Sequence, residues 1–247
     1  MKKIGILGGL AWPSTAAYYT GICRLAEAHH APSGRTGTAD MPEIAIESLD
    51  IGKAIALFGN DDDDASWGAF DAYHRAGLQR LERSGAEFAV IACNTAHHRF
   101  AQITRGIAMP VLSIIEIAAA ACAQRNAGRV LMLGTTQMMR SRVLREVFSR
   151  HGTTAAAPRS RAARQIVIDI IEALKTGHIE GAAERIRAVA GTGRPGAPTF
   201  VYLGCTELPL AFPEYQNEGV FEIGDTHFIN STALHVRAAF DYAVRQC

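Results

Sequence analysis

The stretch Phe88-Ala89-Val90-Ile91-Ala92-Cys93-Asn94-Thr95 decides the reading of this chain, and Phe200-Val201-Tyr202-Leu203-Gly204-Cys205-Thr206-Glu207 repeats it. In both, four apolar residues run without alternation into a small residue, a cysteine and polar loop residues. Such runs predict strands buried on both faces of a parallel sheet. In open α/β sheets, ligands bind beyond the carboxyl ends of the strands. Each cysteine is therefore expected where chemistry takes place. Two thiols at equivalent places in two halves of a chain suggest a pair of acid/base groups facing one substrate.

The start of the chain repeats as well. Residues 3–7 read as a strand, followed by the loop Gly8-Gly9-Leu10-Ala11-Trp12-Pro13-Ser14 and a helix through Tyr18, Tyr19, Ile22 and Leu25, capped by Ser14 or Thr15. Residues 129–136 repeat the strand and small-residue loop, and a helix follows over 138–151. The double glycine lets backbone N–H groups approach an anion, but it is not the GxGxxG of a dinucleotide site. Between these landmarks we expect strands over 43–49, 87–92 and 109–112. Helices are expected over 67–84, through His97, Phe100 and Ile103, and over 114–125, 165–174 and 179–190. A tail helix over 230–245 returns to the first lobe. The fold class is α/β, with two similar lobes, each a mostly parallel sheet flanked by helices, and the active site between them. The expected lobes are 1–107 with 214–247, and 108–213. Residues 31–40, rich in Gly, Ser, Thr and Pro, suit a flap over the substrate.

A hydrophobic content of 48% and a charged content of 20% in 247 residues suit a globular protein with a substantial core. The net charge of +1 provides no field for nucleic acid or a membrane surface. The acidic run at 61–64 reads as a solvated loop that caps the next helix. Met1-Lys2-Lys3 precedes an apolar run too short for a leader peptide, and no stretch is long enough to span a bilayer. The five cysteines, Cys23, Cys93, Cys122, Cys205 and Cys247, are odd in number, widely spaced and without CxxC. That pattern predicts reduced thiols in a cytoplasmic protein, not a disulfide framework.

Two thiols can invert a weakly acidic Cα–H centre if one is thiolate and the other thiol. N–H groups at the helix starts after each cysteine, with the side chains of Asn94, Thr95 and Thr206, can hold a substrate carboxylate and stabilise the charge left as the proton departs. Cys23, Cys122 and Cys247 read as packing residues. His97 and His98 read as residues of the helix after Cys93. Glu207 either caps a helix or orients a catalytic group. Trp12 reads as a pocket wall or a packing residue. None of Lys2, Lys3, Lys53 and Lys175 sits at a strand end with a phosphate loop, as a pyridoxal phosphate enzyme needs. A metal site from Cys93, His97, His98 and Cys205 lacks a recognised spacing. We expect neither cofactor nor metal.

Gly5 to Leu10 (GILGGL), Ala92 to His97 (ACNTAH) and Leu203 to Leu208 (LGCTEL) resemble the signatures of the aspartate/glutamate racemase family, and the similarity covers nearly the whole chain. The resemblance implies two Rossmann-like lobes related by pseudo-twofold symmetry, a homodimer, and cofactor-independent racemisation of a small amino acid. It places the catalytic cysteines at Cys93 and Cys205. It places substrate-holding residues at Leu10, Ser48, Asn94, Thr95, Thr206 and Thr135. Aspartate-specific members carry an arginine in a Pro-Asp-Arg stretch, where this chain has Glu47-Ser48-Leu49-Asp50, similar to a broader-specificity branch. A lysine common before the amphipathic helix of the second lobe aligns with Gln165, with Arg161 or Arg164 as substitutes. Fewer cations disfavour a second substrate carboxylate, so a neutral polar substrate such as homoserine stands beside aspartate and glutamate. Hydantoin racemase, maleate isomerase and arylmalonate decarboxylase chemistry use the same cysteine positions, and a non-catalytic small-molecule binding protein is the remaining alternative.

Overall fold

The computed structural model describes residues 1–30, 40–60, 62–191 and 199–245. The expected flap at 31–40 therefore falls, but for Asp40, outside the described residues, as does Cys247. The chain divides into two compact units, residues 1–113 with 235–247, and residues 114–234.

In the first unit, β1 (Ile4–Gly8), β2 (Ile44–Ser48), β3 (Phe88–Ile91) and β4 (Val111–Leu112) form a parallel sheet in the order β2-β1-β3-β4. All residues of β1 and β3 are buried, as their unbroken apolar runs require. Successive side chains leave a strand on opposite faces. Ile4, Ile6, Phe88 and Val90 accordingly pack with Tyr18 and Ile22 of α1 (Trp12–His30) and Val236, Ala239 and Phe240 of α10 (Ser231–Val244). Leu7, Ala89 and Ile91 pack on the other face with Phe70, Leu78 and Leu81 of α3 (Gly68–Arg83), which comes after the short α2 (Ile51–Ala56) in the chain. The tail helix thus belongs to the first unit from His235 onward.

In the second unit, β5 (Arg129–Gly134), β6 (Thr154–Ala156), β7 (Thr199–Gly204) and β9 (Thr226–Asn230) pair in parallel, in the order β6-β5-β7-β9, with β8 (Val220–Ile223) antiparallel at the edge. Without β8, this is the strand order of the first unit, so the repeat seen in the sequence extends to topology. Val130, Met132 and Tyr202 face α5 (Ile114–Ala123) and α7 (Arg142–Arg150), which follows the short α6 (Thr136–Arg140). Leu133, Val201 and Leu203 face α8 (Arg161–Lys175) and α9 (Ala182–Ala190). Residues 214–234, expected in the first lobe, lie in the second unit because β8 and β9 extend the sheet from β7. The helix expected over 138–151 is broken at Ser141, which leaves helical geometry at ψ 119° to cap α7 through its side chain.

One close approach fixes the first strand-end loop. Gly9 has φ +79°, and a Cβ there would lie 2.1 Å from the carbonyl oxygen of Leu49. Gly9→Ala is expected to cost about 2 kcal/mol or more, since L-residues are strained at that φ and the backbone of Leu49 would have to move. Thermal denaturation checks this: a midpoint lowered by about 4 °C or more is expected, and an unchanged midpoint would contradict the packing described.

Candidate active site

The register brings the candidate residues of the first unit to one sheet edge. Gly8 stands opposite Ser48 and Leu7 opposite Ile91, so the segments after β1, β2 and β3 leave side by side. Main-chain hydrogen bonds tie them: Leu49 N–H to Gly8 O at 2.9 Å, and Ala92 N–H to Leu7 O at 2.9 Å. The Gly9 N–H donates to Thr15 Oγ1 at 2.8 Å, so Thr15 secures the glycine loop from inside α1. The Asp50 N–H donates to Tyr73 Oη at 2.9 Å, which holds the next loop to α3. Leu10, Ser48, Cys93, Asn94 and Thr95 therefore share one edge. Cys93 is half-buried, Asn94 buried and Ser48 exposed. Trp12 is 76% exposed at the start of α1 and is not a packing residue of its unit.

The chain after Cys93 is a 3-10 turn, Thr95–Arg99, followed by α4 (Phe100–Ile103). The helix expected through His97, Phe100 and Ile103 is thus wound as a 3-10 turn and one short α-helical turn, too short to supply much of a dipole. Buried polar groups hold the turn instead. Arg99, 6% exposed, donates from Nε to Asp71 Oδ1 at 3.0 Å and from Nη2 to Asp71 Oδ2 at 2.7 Å, and Asp71 is 5% exposed. Asp64 meets Arg99 Nη1 from the surface, and its hydrogen bond and the cation hold its carboxyl below the usual range. Asp63 caps the short turn Asp64–Trp67 through the Ala65 N–H at 3.0 Å. The acidic run thus supplies a cap, as expected, and also an anchor for the cysteine loop.

His97 is fully buried, and its Nδ1–H donates to the carbonyl oxygen of Cys93 at 2.8 Å. A carbonyl only accepts, so that nitrogen carries the hydrogen. Burial pushes the imidazole down to about 4, so it is neutral near pH 7. His98 lies edge-on to Trp67 at 5.6 Å between ring centres.

In the second unit Gly134 stands opposite Gly204, which brings Thr135 and Cys205 to neighbouring strand ends. The Thr135 side chain accepts from the Met138 N–H at 3.4 Å and caps α6. Cys205 follows β7 as Cys93 follows β3, the strands holding the same place in the two sheet orders. Its thiol lies 2.8 Å from Glu207 Oε2, to which it donates, and Thr206 Oγ1 donates to the same oxygen at 3.2 Å. Cys205 and Glu207 are 5% and 3% exposed. Glu207 makes no side-chain cap to the 3-10 turn Leu208–Ala211 that follows it. Of its two sequence readings, capping is not what its side chain does here; it is turned to Cys205 and Thr206.

Gln165 is exposed on α8, and its amide donates to Asp169 Oδ1 at 2.9 Å within the same helix. Arg164 is turned back onto the carbonyl oxygens of Pro158 and Arg159 at 2.8 and 2.9 Å, and Arg161 is exposed. Lys175, in the last turn of α8, lies close enough to Cys205 and Glu207 to feel their charge. Burial pushes its ammonium down, but the hydrogen bond to Glu172 and the charges of Glu172, Cys205 and Glu207 raise it overall. Among the described residues, no group of three or more His, Cys, Asp or Glu could hold a metal ion, and no helix is long and apolar enough to cross a membrane.

A family model described as Asp/Glu/Hydantoin racemase matches residues 7–239. The chain belongs to this family. A curated relative, the broad specificity amino-acid racemase RacX of Bacillus subtilis, is 26% identical over 149 residues, 60% of this chain and 61% of that protein. The matched part is thus less than two thirds of the relative's length. The crystal structure of an aspartate racemase homologue from Pyrococcus horikoshii is 26% identical, covers 99% of this chain and 100% of its own, and superimposes with a TM-score of 0.75. The aspartate racemase of Picrophilus torridus, at 21% identity, shares the fold with a TM-score of 0.73 over 100% of this chain and 96% of its own.

The buried histidines make a prediction about acid stability. Burial lowers the pKa of His74, His97 and His235. A histidine whose folded pKa is depressed stabilises the fold above its unfolded value near 6.5, and that contribution is lost as pH falls towards the folded value. For His97, with a folded value of about 4, the loss by pH 4 is about 3 kcal/mol. Urea unfolding between pH 7.5 and 4 is expected to show falling stability, with a shallower fall in His97→Asn. Identical pH slopes in the two proteins would contradict a neutral, buried His97.

Proposed function

We propose that this chain is a cofactor-independent amino-acid racemase, an isomerase that inverts Cα of a free amino acid by two-base proton transfer between Cys93 and Cys205. The observation that carries this reading is the matched placement of the two thiols. Each stands just past the carboxyl end of the corresponding parallel strand in its unit, and Cys205 has the buried Glu207 carboxylate at 2.8 Å. The family membership and the names of the relatives support it.

In this mechanism one cysteine, as thiolate, takes the Cα proton and becomes a thiol. The electron pair left on Cα is spread into the substrate carboxylate, and the other thiol returns a proton to the opposite face. The enzyme ends with its two protonation states exchanged, so the opposite reaction follows directly. Glu207 gives Cys205 a fixed partner for this cycle: the carboxylate accepts the thiol's hydrogen bond and holds the sulfur in one direction while the proton is passed between sulfur and Cα. Leu10, Ser48, Asn94, Thr95, Thr135 and Thr206 hold the substrate carboxylate and amine from the two strand-end edges. Gln165, turned to Asp169, supplies no cation for a second carboxylate. The substrate of this reading is aspartate, glutamate or a neutral polar amino acid such as homoserine. A homodimer in the cytoplasm belongs to this reading, and sedimentation of the purified chain reads its oligomeric state.

Chiral chromatography on aspartate, glutamate, homoserine, serine, alanine, methionine and a substituted hydantoin tests the reading. Turnover of one amino acid without added cofactor is expected. Cys93→Ser and Cys205→Ser should each lower kcat by at least about 100-fold, the scale of a lost acid/base group, and Glu207→Gln by about 10-fold or more. Full activity in either serine variant would defeat the two-base mechanism. Turnover of the hydantoin alone would move the substrate within the family.

A further inference from the structure

His97 has no part in the proton transfer proposed above, yet the fold holds it with unusual care. It lies in the turn Thr95–Arg99 and is fully buried. Its ring stacks on Phe100 at 5.2 Å between centres with planes 8° apart, and His235 meets it edge-on at 5.9 Å and 78°. His235 is itself tied on both nitrogens. Tyr18 Oη lies 2.7 Å from its Nδ1, and the carbonyl oxygen of Leu112 lies 3.1 Å from its Nε2. The carbonyl requires the hydrogen on Nε2, so the Tyr18 hydroxyl donates to Nδ1. Four elements thereby fix the plane of His97: α1, the end of β4, α4 and α10.

This clamping serves a hydrogen bond from His97 Nδ1–H to the carbonyl oxygen of Cys93 at 2.8 Å. The peptide joining Cys93 to Asn94 is trans, as is every other in the described residues. In a planar trans peptide the C=O and the following N–H point in opposite directions. With the Cys93 carbonyl drawn inward to His97, the rest of that peptide has no rotational freedom. The direction in which the backbone presents the Cys93 side chain is set with it. On the other side, the Cys93 N–H donates to Ile91 O at 2.8 Å, so the cysteine is fixed through both of its peptides.

We propose that His97 is a positioning residue for Cys93. It uses a neutral imidazole, locked by Phe100 and His235, to hold the cysteine's carbonyl and so set the line along which the thiol meets the substrate Cα. This rests on the racemase reading for its effect on turnover, but its effect on the thiol can be measured without it. An ångström of misplacement at a reacting group can cost about 100-fold in rate, and a side-chain hydrogen bond is an economical way to prevent it.

The test compares His97→Asn, whose amide nitrogen falls near the place of Nδ1, with His97→Gln, whose amide nitrogen falls near that of Nε2, and with His97→Leu. Thermal midpoints are measured for all three. The expected result is that Asn keeps kcat within about fivefold of the parent, while Gln and Leu lose about 100-fold in kcat with KM changed by less than about threefold. Asn and Gln are neutral amides, so a difference in kcat at matched thermal midpoints reports positioning and not folding. Should Leu fail to fold, the Asn and Gln pair carries the comparison. In parallel, iodoacetamide labelling read by peptide mass spectrometry follows each cysteine separately. Labelling of Cys93 should rise at least fivefold in Gln and Leu as its loop loosens, stay near the parent rate in Asn, and leave Cys205 unchanged. If the parent protein racemises nothing in the panel, the racemase reading fails, and the labelling still decides on His97. Equal kcat in Asn and Gln, activity that follows the thermal midpoint across all variants, or a Cys93 labelling rate indifferent to the substitution would each overturn the proposal.

Discussion

Parallel pairing of fully buried strands is the constraint on which this molecule depends. A parallel sheet needs crossover connections, and those place helices over both faces. The strands β1, β3 and β7 consist almost wholly of buried residues, and β5 is buried over its last three, so polar side chains gather at their ends. Every carboxyl end of a parallel sheet opens on the same edge. The polar and reactive residues that follow β1, β2 and β3 in one unit, and β5 and β7 in the other, are therefore gathered without any contact among them having to specify it. The same strand order in both units then puts one cysteine at the equivalent place of each.

Apolar strands do not fix the loops that carry the chemistry. That work falls to a small set of buried polar groups, and each is satisfied in a way that leaves the loop little freedom. Arg99 and Asp71 form a bidentate pair almost out of solvent, and removing one partner of such a pair typically costs about 3–5 kcal/mol because the other charge is stranded. The histidines answer burial differently, by staying neutral, so each offers one donor and one acceptor at a fixed place. The first unit uses both devices behind Cys93. In the second, Cys205 and Thr206 converge on one oxygen of Glu207.

How much of this could be read in the amino-acid sequence follows from how local each feature is. The strands before Cys93 and Cys205, the glycine loop after β1 and the parallel sheets are written in short runs of residue type, and the structure has them where they were expected. The return of the tail helix to the first unit was expected, but the antiparallel β8 and the place of β9 are decided by strand pairing across the sheet, which no run of residues encodes, and the domain boundary shifted accordingly. The Arg99–Asp71 pair joins residues 28 positions apart, so neither the charge nor the burial of either partner was visible in its own neighbourhood. Glu207 was visible as a residue with two possible tasks, and only the direction of its carboxylate separated them. His97 was read as a passenger of a helix, and only the direction of its ring, back to the carbonyl oxygen of Cys93, showed its hold on that residue. Gln165 was assigned by alignment with a lysine, and on the helix it faces solvent.

The most direct test of two thiols acting on opposite faces of one carbon is the fate of solvent deuterium. Each enantiomer of the best substrate is incubated in D₂O without added cofactor, and deuterium at Cα is followed by NMR at low conversion. Two separate acid/base groups predict that deuterium enters the product enantiomer at the rate of inversion, while the remaining substrate keeps its original hydrogen. Deuterium appearing in recovered substrate as fast as in product would mean that a single group serves both faces, and would contradict the account.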